Sequence, residues 1–186
     1  MTQIQKTGTD EIAELLGKCW ITHDGMWFAH TLSAHGIDEA NRLNRAAIKS
    51  MVPIEIKRFM TRFRVRREDL DNFAAFASFF SRVQPLLIPA FMNLSIRFTA
   101  PGTMGWRFNG KGCFAASGIA RTGMLSSYLC GPLFRIQCWL DHLDISYEMI
   151  PQIRTCIMAD MDSCSGEFRL LFSKRGGVSP IQDDLA

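Results

Sequence analysis

The sequence predicts an α+β fold: an N-terminal helical layer packed on a small, mostly antiparallel sheet of about four strands. Three observations predict it. Apolar residues recur every three or four positions through the first half of the chain, the period of a helix with one buried face. The period then falls to two in Met92–Thr99 and Thr103–Asn109, with Ala100-Pro101-Gly102 between them, which reads as a hairpin. Beyond it, a further helical stretch is followed by two more alternating segments.

Ile12, Leu15 and Leu16 mark a short opening helix that Gly17 ends. Thr22 or Asp24 caps a second, carrying Trp27, Phe28 and Leu32 and closed by Gly36. Asp38 begins a third, with Ile37, Ala40, Leu43, Ala47 and Ile48 on one face, and Pro53 is expected to bend or break it. Leu70, Phe73, Phe76, Ala77, Phe80, Val83 and Leu87 define the clearest helix, with Glu68 and Asp69 at its start, where negative charge suits the dipole. Pro85 and Pro89 kink or end it. After the hairpin, one helix is expected over Cys113–Ala120 and another from Leu125 to about His142, interrupted near Gly131-Pro132. The last two strands carry Leu143, Ile145, Tyr147 and Met149, then Phe168, Leu170 and Phe172.

With 186 residues, 47% apolar and 21% charged, the chain suits one domain over 1–186, with 1–17 and 175–186 as loosely ordered ends. Nowhere do 18 uncharged apolar residues run together, and the start lacks a secretory pattern, so a cytoplasmic protein is expected. The net charge of +3 argues little about partners. Lys57, Arg58, Arg62, Arg64, Arg66 and Arg67 are concentrated, yet no stacking aromatics interleave them. A solvated helix end and loop is the expectation there, and nucleic acid is not.

The six cysteines are expected to stay reduced. Cys130 lies beside the Gly131-Pro132 corner, Cys156 follows the third strand and Cys164 precedes the fourth. A loop joining antiparallel strands brings the latter two together, and a helix packed on that end adds Cys130. Zinc takes four ligands from such groups. Cys138, Cys113, His142, Glu148 and Asp160 are open candidates for the fourth, and small buried hydrophobes are the competing reading. Cys19 and Cys138 are assigned to packing.

Leu129-Cys130-Gly131 and the run from Cys156 through Cys164 to Phe168 resemble the C-terminal part of the 4-vinyl-reductase-type small-molecule-binding domain. The resemblance implies Cys130, Cys156 and Cys164 as metal ligands, for zinc or iron. It also implies a glutamate near position 153, where Ile153 stands. Trp20, Asp24–Phe28, Gly36–Ala40 and the cysteine loop also resemble an uncharacterised family of small cytosolic prokaryotic proteins, with a distant likeness to amino-thiazoline-carboxylate hydrolase-like proteins. These resemblances imply a small-molecule-binding or sensory domain with a structural metal; the alternative is a metal- or thiol-dependent, hydrolase-like enzyme.

A small apolar organic ligand would be lined by Trp27, Phe98, Trp106 and Phe108, although such a stripe is more often core. His23, Asp24 and His30 offer an acid–base set, against the plainer reading that Asp24 caps its helix. Cys113, at a helix start, is a candidate nucleophile. A homodimer through the sheet edge or the N-terminal helices is a further expectation.

Overall fold

The computed structural model describes residues 8–108 and 112–172. Its helices are α1 (Thr9–Phe63), α2 (Phe73–Leu87), α3 (Phe114–Ala120) and α4 (Gly131–His142). Its strands are β1 (Leu94–Thr99), β2 (Thr103–Phe108), β3 (Ser146–Ile150) and β4 (Ser165–Leu171). The α+β expectation holds. The four strands form one antiparallel sheet in the order β1-β2-β4-β3.

α1 spans 55 residues and is broken at Gly36, whose φ of 82° lies in the region that side chains disfavour. A straight helix would hold residues 20 and 51 about 45 Å apart. Instead Trp20 lines one groove with Ala47, Met51 and Ile54, so α1 folds back at Gly36 into two arms, 9–35 and 37–63. Gly36 was expected to close a helix, and it does. Gly17 was expected to do so and does not. An interior glycine costs a helix only about 1 kcal/mol, and here its bare Cα admits the Phe91 ring, which a Cβ would meet at 3.3 Å.

The first arm is therefore one helix where two were expected, and it begins at Thr9. Thr22 and Asp24 do not cap: both lie inside the helix, and the Thr22 hydroxyl donates to the Lys18 carbonyl at 2.9 Å. Gly8 begins α1, its N–H donating to the Glu11 carboxylate at 3.0 Å. The second arm runs through Pro53 to Phe63, its packing against α4 outweighing the lost backbone hydrogen bond.

α2 starts later than its periodicity suggested. Glu68 and Asp69 belong to a separate 3-10 turn, Arg67–Leu70, and Asn72 caps α2 by accepting from the Ala75 amide at 3.0 Å. Phe76, Phe79, Phe80, Val83 and Leu87 are buried along one face. Opposite them stands the inward face of the hairpin, where Ile96 pairs with Trp106 and Phe98 with Met104. Phe98 meets Phe73, Phe76 and Phe80 at ring separations of 5.8–6.1 Å. Aromatic rings bury large areas and favour such tilted and edge-on geometries.

α4 packs chiefly on α1. Trp139 is fully buried, and its indole N–H donates to the Glu55 carboxylate at 2.8 Å, which also pairs with Arg135. The stretch before α4 is less helical than expected: a 3-10 turn, Leu125–Ser127, leads to an extended Leu129 that bridges Thr155. Leu143 and Ile145, expected in the third strand, lie in the turn after α4; β3 begins at Ser146. Asn109 and the 175–186 tail lie outside the described residues. Among the described residues no helix is long and apolar enough to cross a membrane.

Candidate metal centre

The cysteines expected as ligands arrive from different elements. Cys156 sits in the β3–β4 connection, and its N–H donates to the Tyr128 carbonyl at 3.0 Å. With the Leu129–Thr155 bridge, this bond lays the Cys156 segment alongside the residues leading into Cys130. Asn41, the one buried polar residue of the described core, holds that segment from the other side. Its amide donates to the Ser127 carbonyl at 2.9 Å and accepts from the Leu129 N–H at 3.0 Å. Cys164 enters just ahead of β4, its carbonyl accepting from the Phe108 N–H at 2.9 Å. It therefore lies at the end of β2.

β2 then leads, five residues on, to Cys113. Gly112 is seated against Met158, whose methyl a Cβ there would meet at 2.5 Å. Cys113 thus joins the same end of the sheet, against the turn that follows Cys156. Cys113, Cys156 and Cys164 are buried and Cys130 is half-buried. The Cys130 thiol is pushed up to about 12 by burial, with further contributions from Cys113, Cys164 and Cys156. Burial likewise pushes Cys113 up to about 11, with Cys164 and Cys156 adding to it. Both remaining thiols are also raised by burial. The four thiols share one neighbourhood.

N–H groups oppose the effect of burial at all four. Cys113, Cys130 and Cys156 each stand immediately before a helix or 3-10 turn. Amides two or three residues on draw their thiol pKa values down: Ala116 and Ala115 for Cys113, Leu133 for Cys130, Met158 and Ala159 for Cys156. None of these thiols is close enough to cap its turn with a formed hydrogen bond. At Cys164 the Trp106 indole plays this part. That N–H is buried, yet it reaches no acceptor at hydrogen-bond geometry. A neutral thiol is a weak acceptor, whereas a thiolate is a strong one.

The donor set suits a soft or borderline metal, because thiolates select zinc and iron. Among the described residues, however, no group of three or more His, Cys, Asp or Glu side chains is arranged to hold an ion as the side chains stand. The backbone has gathered the cysteines; their sulfurs do not point to a common centre.

Other candidates fall elsewhere. Cys138 is buried, but its thiol responds to Asp141, Arg45 and Lys49. His142 lines a basic cleft with Lys57, Arg64, Arg66 and Arg67. Glu148 is exposed and faces Arg169 at 3.6 Å, and Asp160 is exposed. Cys19, assigned to packing, is exposed instead.

Phe98, Trp106 and Phe108 share the inward face of the hairpin, where Trp106 lies tilted against Phe168 with ring centroids 4.8 Å apart; Trp106 and Phe108 are buried in the core and Phe98 packs against it. Trp27 does not join them. It is 66% exposed on the first arm and donates to His23 Nε2 at 3.2 Å. His30 is likewise exposed. As for Cys113, its raised pKa is opposite to what a nucleophilic thiol needs. In the basic segment, Arg66 is paired with Asp69 and Glu68, and Arg67 with Asp144.

Sequence reasoning placed Cys113 among several possible fourth ligands and as a candidate nucleophile. Like Cys130 and Cys156, it directly precedes a helix or helical turn.

No curated protein and no solved structure matches the chain. Residues 2–79 match the model of a family of unknown function (DUF6125), a stretch that covers α1 and the start of α2 and ends well before the first of these four cysteines.

Proposed function

We propose that the C-terminal half of this chain is a metal-binding module, in which Cys130, Cys156 and Cys164 hold zinc or iron and the ion ties the β3–β4 connection to the start of α4. The observation that carries the reading is the convergence of cysteines from separate segments at one end of the sheet. The resemblance of the cysteine loop to the 4-vinyl-reductase-type domain points the same way. Cysteine sulfur moves between staggered wells by rotation about a single bond, so loading such a site needs side-chain rotation and no new backbone path. An ion would take the place of the thiol protons, which pass to solvent as each ligand becomes a thiolate.

The role is structural. The β3–β4 connection has little regular structure of its own beyond one 3-10 turn, Ile157–Ala159. A small organic ligand would need a space between helices and sheet; Phe98, Trp106 and Phe108, expected to line it, fill the core instead, and Trp27 stands apart from them in solvent.

Elemental analysis of reduced protein, purified without added metal, tests this directly. About one equivalent of zinc or iron is expected, since structural zinc binds tightly. Less than ~0.1 equivalent in fresh protein, with no uptake from added zinc, would leave the cysteines as core packing and end the proposal.

A further inference from the structure

We infer that Cys113 is the fourth ligand, so that the ion is enclosed by four sulfurs from Cys113, Cys130, Cys156 and Cys164 and keeps no open position for water or substrate. The inference rests on the metal reading above and sharpens it from a three-cysteine site to a closed one.

Three lines of geometry lead to Cys113. The first is its backbone position: Gly112 is packed on Met158 and Phe108 is bonded to Cys164, so the β2–α3 connection is held at both ends against the two cysteine-bearing segments. The second is elimination. Each other candidate faces a different part of the molecule: Cys138 toward Asp141, His142 in the basic cleft, Glu148 beside Arg169, Asp160 in solvent. Ile153, standing where the resemblance implies a glutamate, supplies no donor. The third is the disposition of N–H groups. A divalent ion with four thiolates carries a net charge of −2, which a buried site must offset by hydrogen bonding. The buried Trp106 indole N–H lacks an acceptor next to Cys164, and a metal-bound thiolate would supply one. Cys113, Cys130 and Cys156 each stand immediately before a helix or 3-10 turn, whose first N–H groups have no partner within the turn.

The distinction matters chemically. A zinc ion with four protein ligands is structural; a catalytic one keeps a position for water. Four thiolates therefore exclude hydrolysis at this ion.

X-ray absorption at the zinc edge of the zinc-loaded wild-type chain, all 186 residues, tests the ligand count without a variant. Four sulfur scatterers at about 2.3 Å are expected. Cys113→Ser should replace one of them by a lighter atom, while Cys138→Ser leaves the shell unchanged. A cobalt(II)-substituted sample gives a second readout, its sulfur-to-metal absorption falling by one thiolate's share in Cys113→Ser. A wild-type shell of three sulfurs and one oxygen or nitrogen would overturn the inference and leave the metal reading standing. So would a Cys113→Ser shell identical to that of the wild type. If the wild-type chain takes up neither zinc nor cobalt, the metal reading itself fails, and this inference with it. Should Cys113→Ser not fold, the wild-type spectrum alone decides.

Discussion

Two regions of this molecule carry dense chemistry in sequence, and the fold treats them in opposite ways. The first arm of α1 presents Trp20, His23 and Trp27 along one helix. Its two indoles are more than 60% exposed, and the contacts of His23 are with these neighbours three and four residues away. The cysteine end draws its side chains from the β2–α3, α3–α4 and β3–β4 connections, and three of the four are buried. On a single helix, groups spaced by three or four residues become neighbours automatically, so their proximity says little about selection for a site. Segments far apart in sequence meet only when hydrogen bonds, bridges and packing bring them together, and each of those carries a conformational-entropy cost. Convergence of the second kind is the stronger indication of function.

The energetic contrast can be broken most severely at Trp139. It is fully buried between α1 and α2, against Phe59, Phe79 and Phe80, and bonded to Glu55. Trp139→Ala is expected to destabilise the fold by about 3–5 kcal/mol, read from denaturant unfolding. A loss under about 1 kcal/mol would mean that α4 does not anchor the domain.

A smaller effect, closer to the site, is expected at Asn41. Removing its amide leaves the Ser127 carbonyl and the Leu129 N–H without their partner, a cost of about 1–3 kcal/mol. Because Leu129 precedes Cys130, Asn41→Ala should also weaken zinc retention in a chelator competition. Equal stability loss with unchanged retention would show that Asn41 supports the fold without positioning the cysteine.

The smallest effect belongs to the exposed arm. Trp27→Ala removes a ring that is mostly in solvent and its bond to His23, and should change stability by no more than about 0.5 kcal/mol. A loss several times larger would place Trp27 in a packed environment and erase the contrast between the regions.

Much of the architecture was legible in the sequence because local chemistry dictates it. The alternation of Leu94, Ile96 and Phe98 with polar residues places one face of β1 inward, and the helical period from Phe73 to Leu87 sets the buried face of α2. The errors lay where tertiary contacts overrode local signals. Gly17 reads as a stop but receives Phe91, and Asp24 reads as a cap but lies mid-helix. Pro53 reads as a bend or a break, and the second arm continues through it without a break.

Sequence by itself determined the α+β class, the hairpin, the helix break at Gly36 and the types of group available to bind a metal. These follow from side-chain period, glycine's access to positive φ and the chemistry of the thiol, none of which requires knowledge of distant neighbours. Only the tertiary structure decided that α1 doubles back, that Trp27 stands away from the rings of the sheet, and that Cys113 joins Cys130, Cys156 and Cys164. Those outcomes depend on which segments share the end of a sheet, and that depends on strand order, β1-β2-β4-β3. Pairing β2 with β4 sets the exit of β2 beside the entry to β4, and so places Cys113, five residues past Phe108, near Cys164.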